Sequence, residues 1–225
     1  MRHSIIVTLL VVVACVGVYA QESDTEEDMS QPWRVVFYPF TDENAATDIS
    51  RYVSAGYLPV GYERDSDSFG VLLVRGTMDN LKGWVINEYS DWNALETDIT
   101  NAINSGYVPM DISRFGDTLS VLWVEADTQI SGWRISSCAN TASDRNRTIN
   151  SLQAQGFTLW GVSVYEGLAW MLLLNRPNAQ RTGTISVFES DTAELQQGLR
   201  DAYNDGWLPN GMGVSEGSIY FCFAQ

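Results

Sequence analysis

Apolar residues recur at helical spacing four times along the chain, and each stretch closes on a glycine followed by an aromatic residue. The closing segments are Gly56-Tyr57-Leu58-Pro59, Gly106-Tyr107-Val108-Pro109, Gly156-Phe157-Thr158-Leu159 and Gly206-Trp207-Leu208-Pro209. The glycines are spaced by 50 residues, at 56, 106, 156 and 206. A fixed period of this size marks a repeat architecture. Seven residues before each glycine stands Ile49, Ile99, Ile149 or Leu199, and four before it Tyr52, Ala102, Leu152 or Ala202. That spacing places one apolar stripe on a helix. The glycine just past the stripe predicts a left-handed helix end, and the aromatic residue after it packs back onto the last turn. In repeat three, Arg145 and Asn146 stand where the other copies have Ala45, Leu95 or Leu195 facing inward. This predicts a third helix that starts later or frays.

Between the helices the pattern changes to short β-branched and aromatic runs, which read as strands. In repeat one they are Trp33 to Tyr38, Leu58 to Glu63 and Phe69 to Val74, with Thr41 or Asp42 capping the helix. Repeat two follows with Trp84 to Tyr89, a cap at Ser90 or Asp91, then Val108 to Ser113 and Leu119 to Val124. Repeat four caps at Ser190 or Asp191. Each unit is therefore β-α-β-β. The last strand of each unit, such as Val71-Leu72-Leu73-Val74 or Tyr220-Phe221-Cys222-Phe223, does not alternate. A strand apolar on both sides is covered on both faces. It belongs in the middle of its sheet, giving the strand order one-three-two with a right-handed helical crossover. The expected fold is α+β: four tandem β-α-β-β repeats of about 50 residues, forming a single pseudo-symmetric body with helices outside. Pairing of the repeats into two lobes is the other arrangement. The repeats span about 32–80, 81–130, 131–181 and 182–225 within a globular region at 32–225.

The N-terminus has a different pattern. Arg2 and His3 precede an uncharged apolar run, and Val18-Tyr19-Ala20 fits a cleavage site, so residues 1–20 read as a signal peptide. Val12-Val13-Ala14-Cys15 also resembles a lipobox, which would place a lipid on Cys15. Residues 21–31 carry Glu22, Asp24, Glu26, Glu27 and Asp28 and read as an acidic disordered spacer. The chain is thus expected to be exported, secreted or periplasmic, with lipid anchoring to the envelope as the alternative. The mature chain is expected not to insert into a membrane.

Composition narrows the chemistry. The formal net charge is -15. Such a chain is repelled by nucleic acid and by anionic lipid. Its one histidine, His3, lies in the signal segment, so the rest has no Ser-His-Asp, Cys-His or histidine-ligated zinc chemistry. Its one lysine, Lys82, sits in a linker and reads as a solvated surface residue. Asp65-Ser66-Asp67-Ser68-Phe69-Gly70 partly resembles a calcium loop but lacks the distal glutamate, and reads as a hairpin tip. No cofactor and no metal site is expected. Carboxylates remain, and Glu88, Glu166 and Glu216 are conceivable members of a hydrolytic pair. Glu166 and Glu216 each precede a glycine at equivalent turns, which favours turn chemistry.

The tryptophans are the other signal. Trp33, Trp84 and Trp133 open the first strand of three repeats, and Arg34 and Arg134 follow two of them. A tryptophan shelf with a polar handle would take a partner; the same period equally fits a repeated core position. The expected function is a non-catalytic repeat protein binding a protein, peptide or glycan. The alternatives are a carboxylate-dependent hydrolase of an extracellular polymer and a structural envelope protein. Cys138 and Cys222 remain after signal removal, and an oxidising compartment makes a disulfide between repeats three and four a candidate. Two separate buried thiols are the other reading.

Overall fold

A computed structural model describes residues 31–75, 83–126, 128–177, 183–189 and 192–225. Residues 1–20, expected to be a signal peptide, Cys15, nearly all of the expected acidic spacer, Lys82, and the cap candidates Ser190 and Asp191 lie outside these residues. Repeat one comprises β1 (Trp33–Pro39), α1 (Ala45–Ser54), β2 (Tyr57–Arg64) and β3 (Ser68–Arg75). Repeat two comprises β4 (Gly83–Tyr89), α2 (Trp92–Asn104), β5 (Tyr107–Phe115) and β6 (Thr118–Glu125). Repeat three comprises β7 (Gly132–Ala139), α3 (Ala142–Gln153), β8 (Thr158–Tyr165) and β9 (Leu168–Asn175). Repeat four comprises β10 (Gly183–Glu189), α4 (Thr192–Asn204), β11 (Leu208–Ser215) and β12 (Ser218–Ala224).

Each repeat forms one three-stranded antiparallel sheet, ordered β1-β3-β2, β4-β6-β5, β7-β9-β8 and β10-β12-β11. The third strand is central in every sheet, as its unbroken apolar run requires. The repeated glycines end the helices in the left-handed conformation, with φ of +89°, +88°, +87° and +82° at Gly56, Gly106, Gly156 and Gly206. No heavy atom would meet a side chain at Gly56 or Gly106, so backbone conformation alone selects glycine there.

The helix starts follow local hydrogen bonding. Asp91 caps α2 by accepting from the Asn93 N–H at 3.0 Å. In α1 the cap position is Asn44, and Asp42 accepts the Asn44 N–H at 2.9 Å in the turn before it. The third helix neither starts late nor frays at its head. Thr141 caps it at Asp144, and Arg145 takes the inward position, 8 % exposed. The Arg145 guanidinium stacks 5.6 Å from the Tyr220 ring centroid and donates to Asn140 at 2.5 Å. A paired and stacked arginine replaces the aliphatic residue of the other copies.

The four sheets close into a ring. Strand β2 packs against β5, β5 against β8, β8 against β11, and β11 against β2. Each of these inner strands also packs on the central strand of the next sheet: β2 on β6, β5 on β9, β8 on β12 and β11 on β3. Going outward from the ring's centre, every sheet runs second strand, third strand, first strand. The helix of each repeat packs on its own sheet. The second strands are therefore buried almost along their length although each is an edge of its own sheet. Among the described residues no helix is long and apolar enough to cross a membrane.

Candidate functional site

The ring's centre is polar. An edge strand leaves alternate N–H groups without a ladder partner, and four inner strands bring four such edges together. One β-bulge interrupts each inner strand, after Pro59, Pro109, Leu159 and Pro209, and turns the following residues toward the axis. The first axial tier holds Gly61, Asp111, Gly161 and Gly211, at matching positions of the four repeats. Asp111 Oδ1 accepts the N–H of Ile112 at 2.9 Å and of Val162 at 3.0 Å. Its Oδ2 accepts the N–H of Tyr62 at 3.0 Å and of Met212 at 2.8 Å. One carboxylate thus receives a donor from every repeat. The three glycines follow from the crowding at the axis: a Cβ on Gly61 would lie 2.9 Å from the Leu72 Cβ and 3.0 Å from Met212. A Cβ on Gly161 would lie 2.2 Å from Asp111 Oδ1, and one on Gly211 2.7 Å from the Gly161 Cα.

The second tier holds Glu63, Ser113, Ser163 and Gly213. The Arg64 N–H donates to the Ser113 hydroxyl and the Arg114 N–H to the Ser163 hydroxyl, each at 2.8 Å. Ser163 in turn donates to Glu63 Oε1 at 3.0 Å. Burial pushes the Glu63 carboxyl well above its ordinary range, and the Asp111 charge adds to this. Burial also pushes Asp111 up, against the pull of its four N–H donors. Both carboxyls are thus raised by burial, and Asp111 differs from Glu63 in having its acceptor sites taken by backbone N–H groups. Both groups are sealed from solvent, so the pair serves the ring and meets no external substrate.

At the hairpin end of the ring the seams between repeats differ. A groove of about 310 Å³ opens between the β5–β6 and β8–β9 hairpins, lined by Arg114, Asp117, Tyr165, Glu166, Leu168 and Trp170. The hydrogen bond from the Arg114 backbone to Ser163 ties its two walls together. The Arg114 guanidinium lies 5.4 Å from the Trp170 ring centroid and 3.8 Å from Asp117. Tyr165 packs edge-on to Phe115, with ring centroids 5.8 Å apart. Outside the groove, Trp92 lies 6.5 Å from Trp170. Trp92 and Leu168 are 40 % and 39 % exposed, two of the few large apolar side chains left in solvent among the described residues. Glu166 and Gly167 form the β8–β9 turn with φ of +50° and +71°, and Glu216 and Gly217 repeat it at the β11–β12 turn.

The tryptophans that open the first strands sit elsewhere. Trp33, Trp84 and Trp133 lie on the outer strands of three sheets, opposite Val74, Val124 and Leu174. Trp33 is 6 % exposed, with its ring 5.6 Å from that of Tyr203, and Trp84 and Trp133 are half-buried against the core. Arg34 stacks on Tyr52 and Arg134 on Phe157, each within its own repeat. These five residues are thus distributed around the ring. Glu88 pairs with Arg64 at the first seam, far in sequence from the Glu166 and Glu216 turns. Asp65 and Asp67 hydrogen-bond to Ser66 within the β2–β3 tip. Among the described residues no cluster of three or more His, Cys, Asp or Glu is placed to hold a metal.

The bridge between Cys138 and Cys222 is not formed; both are free thiols. Cys138 lies on an outer strand opposite Ala169, whereas Cys222 lies on a central strand between Ile185 and Gly211. Burial, and secondarily the Asp111 charge, pushes the Cys222 thiol well up, as befits an unreactive core residue.

Sequence reasoning passed over Asp111, Glu63, Arg114 and Tyr165. The signal for Asp111 was a column of glycines at 61, 161 and 211 broken once. Comparison with known protein families finds no matching family model, and comparison with curated proteins finds no significant match.

Proposed function

We propose that the chain is an exported, non-catalytic binding module whose protein, peptide or glycan ligand seats in the groove between repeats two and three. The observation that carries this reading is the groove's wall. It combines a fixed arginine, two aromatic rings and two exposed carboxylates on a pinned backbone. Recognition sites are commonly apolar concavities with a few placed polar groups. Rigid tyrosine and tryptophan provide contact area with little loss of side-chain freedom.

The hydrolase alternative draws less support. Such an enzyme needs one carboxyl kept protonated and one ionised beside the scissile bond. The carboxyls raised by burial here are Glu63 and Asp111, inside the sealed axis. The test is an array presenting extracellular glycans, peptides and proteins, probed with the exported protein and with Trp170→Ala. Selective binding lost in the variant, with no turnover of the bound polymer, is the expected result. Reducing ends released from a polymer in proportion to protein would contradict it.

A further inference from the structure

We propose that the ligand of the groove is a neutral oligosaccharide, one ring lying against Trp170 and Tyr165 and the next extending toward Trp92. This rests on the reading of the groove as the binding site. The cavity, about 310 Å³, is at the small end of ligand sites, so it suits a unit the size of one or two sugar rings. A large protein partner would need about 800 Å² of contact on this side. Strand addition by a peptide needs a free sheet edge, whereas the groove is walled by two hairpin turns.

The polar groups narrow the class further. A lysine or arginine side chain would seek the face of Trp170, but the Arg114 guanidinium already stands 5.4 Å from that ring's centroid. An incoming cation there meets a like charge. A polyanion meets Asp117 and Glu166 at the rim and a chain of net charge -15. A neutral pyranose meets neither obstacle. Its C–H face covers apolar ring surface. Its hydroxyls donate to the Asp117 and Glu166 carboxylates and accept from Arg114. Trp92 and Leu168, exposed beside the groove, provide apolar surface for a neighbouring ring.

Calorimetric titration of the full chain tests this. The probes are uncharged linear oligomers of glucose, N-acetylglucosamine, mannose, galactose and xylose, set against oligogalacturonate and oligolysine. At least one neutral oligomer is expected to bind saturably, and at least tenfold more tightly than either charged probe. Trp170→Ala should weaken it tenfold or more. Asp117→Asn, at a fully exposed position where folding is not at issue, should weaken it severalfold, and Trp33→Phe should leave it unchanged. Absence of binding by every neutral oligomer would overturn the saccharide inference. Capture of a peptide that is lost in Asp117→Asn would overturn it while leaving the groove as the binding site. Binding of any class that neither groove substitution alters would overturn both.

Discussion

The axis and the hairpin-end groove both gather carboxyl groups from neighbouring repeats, and they use them in opposite ways. On the axis, Asp111 is fully buried and all its acceptor sites are taken by backbone N–H groups from four repeats. In the groove, Asp117 and Glu166 stand in solvent with acceptor capacity to spare. The first arrangement holds strands together and the second can engage a ligand. The seams make the same point. At the first seam Arg64 lies over Phe40 and Phe115 and pairs with Glu88. At the second, Ser137 stands where Glu88 does, and Trp170 where repeat two has Ser120. Arg114 reaches across to Trp170 and the seam opens into a groove. One backbone plan thus yields a closed joint or a site according to the side chains at the seam.

The largest effect should come from the axis. Asp111→Ala leaves four buried N–H groups without an acceptor, and an orphaned buried donor costs about 1–3 kcal/mol before relaxation. With four such donors, urea unfolding should show a loss of about 4 kcal/mol or more. Asp117→Asn in the groove should stay within about 0.5 kcal/mol. Equal losses at both positions would erase the distinction.

Glu63 supplies the next contrast. Its folded carboxyl is held well above the ordinary range, by burial first and the Asp111 charge second. A group raised in the folded state contributes stability that is full below its unfolded value of about 4.3 and is lost as pH rises through the folded one. Stability should therefore fall on going from acid toward alkaline pH, by about 1.4 kcal/mol for each unit of upward displacement traversed. Glu63→Gln should flatten that part of the profile. Denaturant midpoints measured across pH for both proteins check this, and parallel profiles would refute it.

Two glycines separate contact from conformation. Gly161→Ala drives a Cβ into Asp111 and should cost about 1–3 kcal/mol or more, as overpacking does. Gly106→Ala meets no atom but must keep φ at +88°, and should cost about 1 kcal/mol. The smallest effect is a gain. Glu216 sits at φ +50° before Gly217, and Asn tolerates that conformation better, so Glu216→Asn should stabilise by roughly 0.5 kcal/mol. Thermal unfolding of the three variants ranks them.

The parts of the fold legible in the sequence are those fixed by local chemistry. Helix stripe, glycine and aromatic lie within a few residues, and the non-alternating third strand names its own central place. The inner strands were harder to read. Leu58 to Glu63 contains Pro59 and Gly61, which mark an edge, and an edge it is until three other edges close upon it. Asp111 taken within repeat two reads as a solvated residue; only its register with Gly61, Gly161 and Gly211 marks it as singular. The groove was least legible because it arises where the repeats differ, at Ser137 against Glu88 and Trp170 against Ser120. Trp33, Trp84 and Trp133 drew notice because they repeat, and their periodicity is that of a shared packing position.

The most direct test of the axial closure is native-state hydrogen exchange at four amides, those of Tyr62, Ile112, Val162 and Met212. Groups that bond to one buried carboxylate can exchange only when the ring opens as a whole. These four amides should fall in the slowest class, share one opening free energy equal to that of global unfolding, and respond together to denaturant. Exchange at any of them through a smaller, separate opening, faster than the amides that join β1 to β3, would contradict a ring closed upon Asp111.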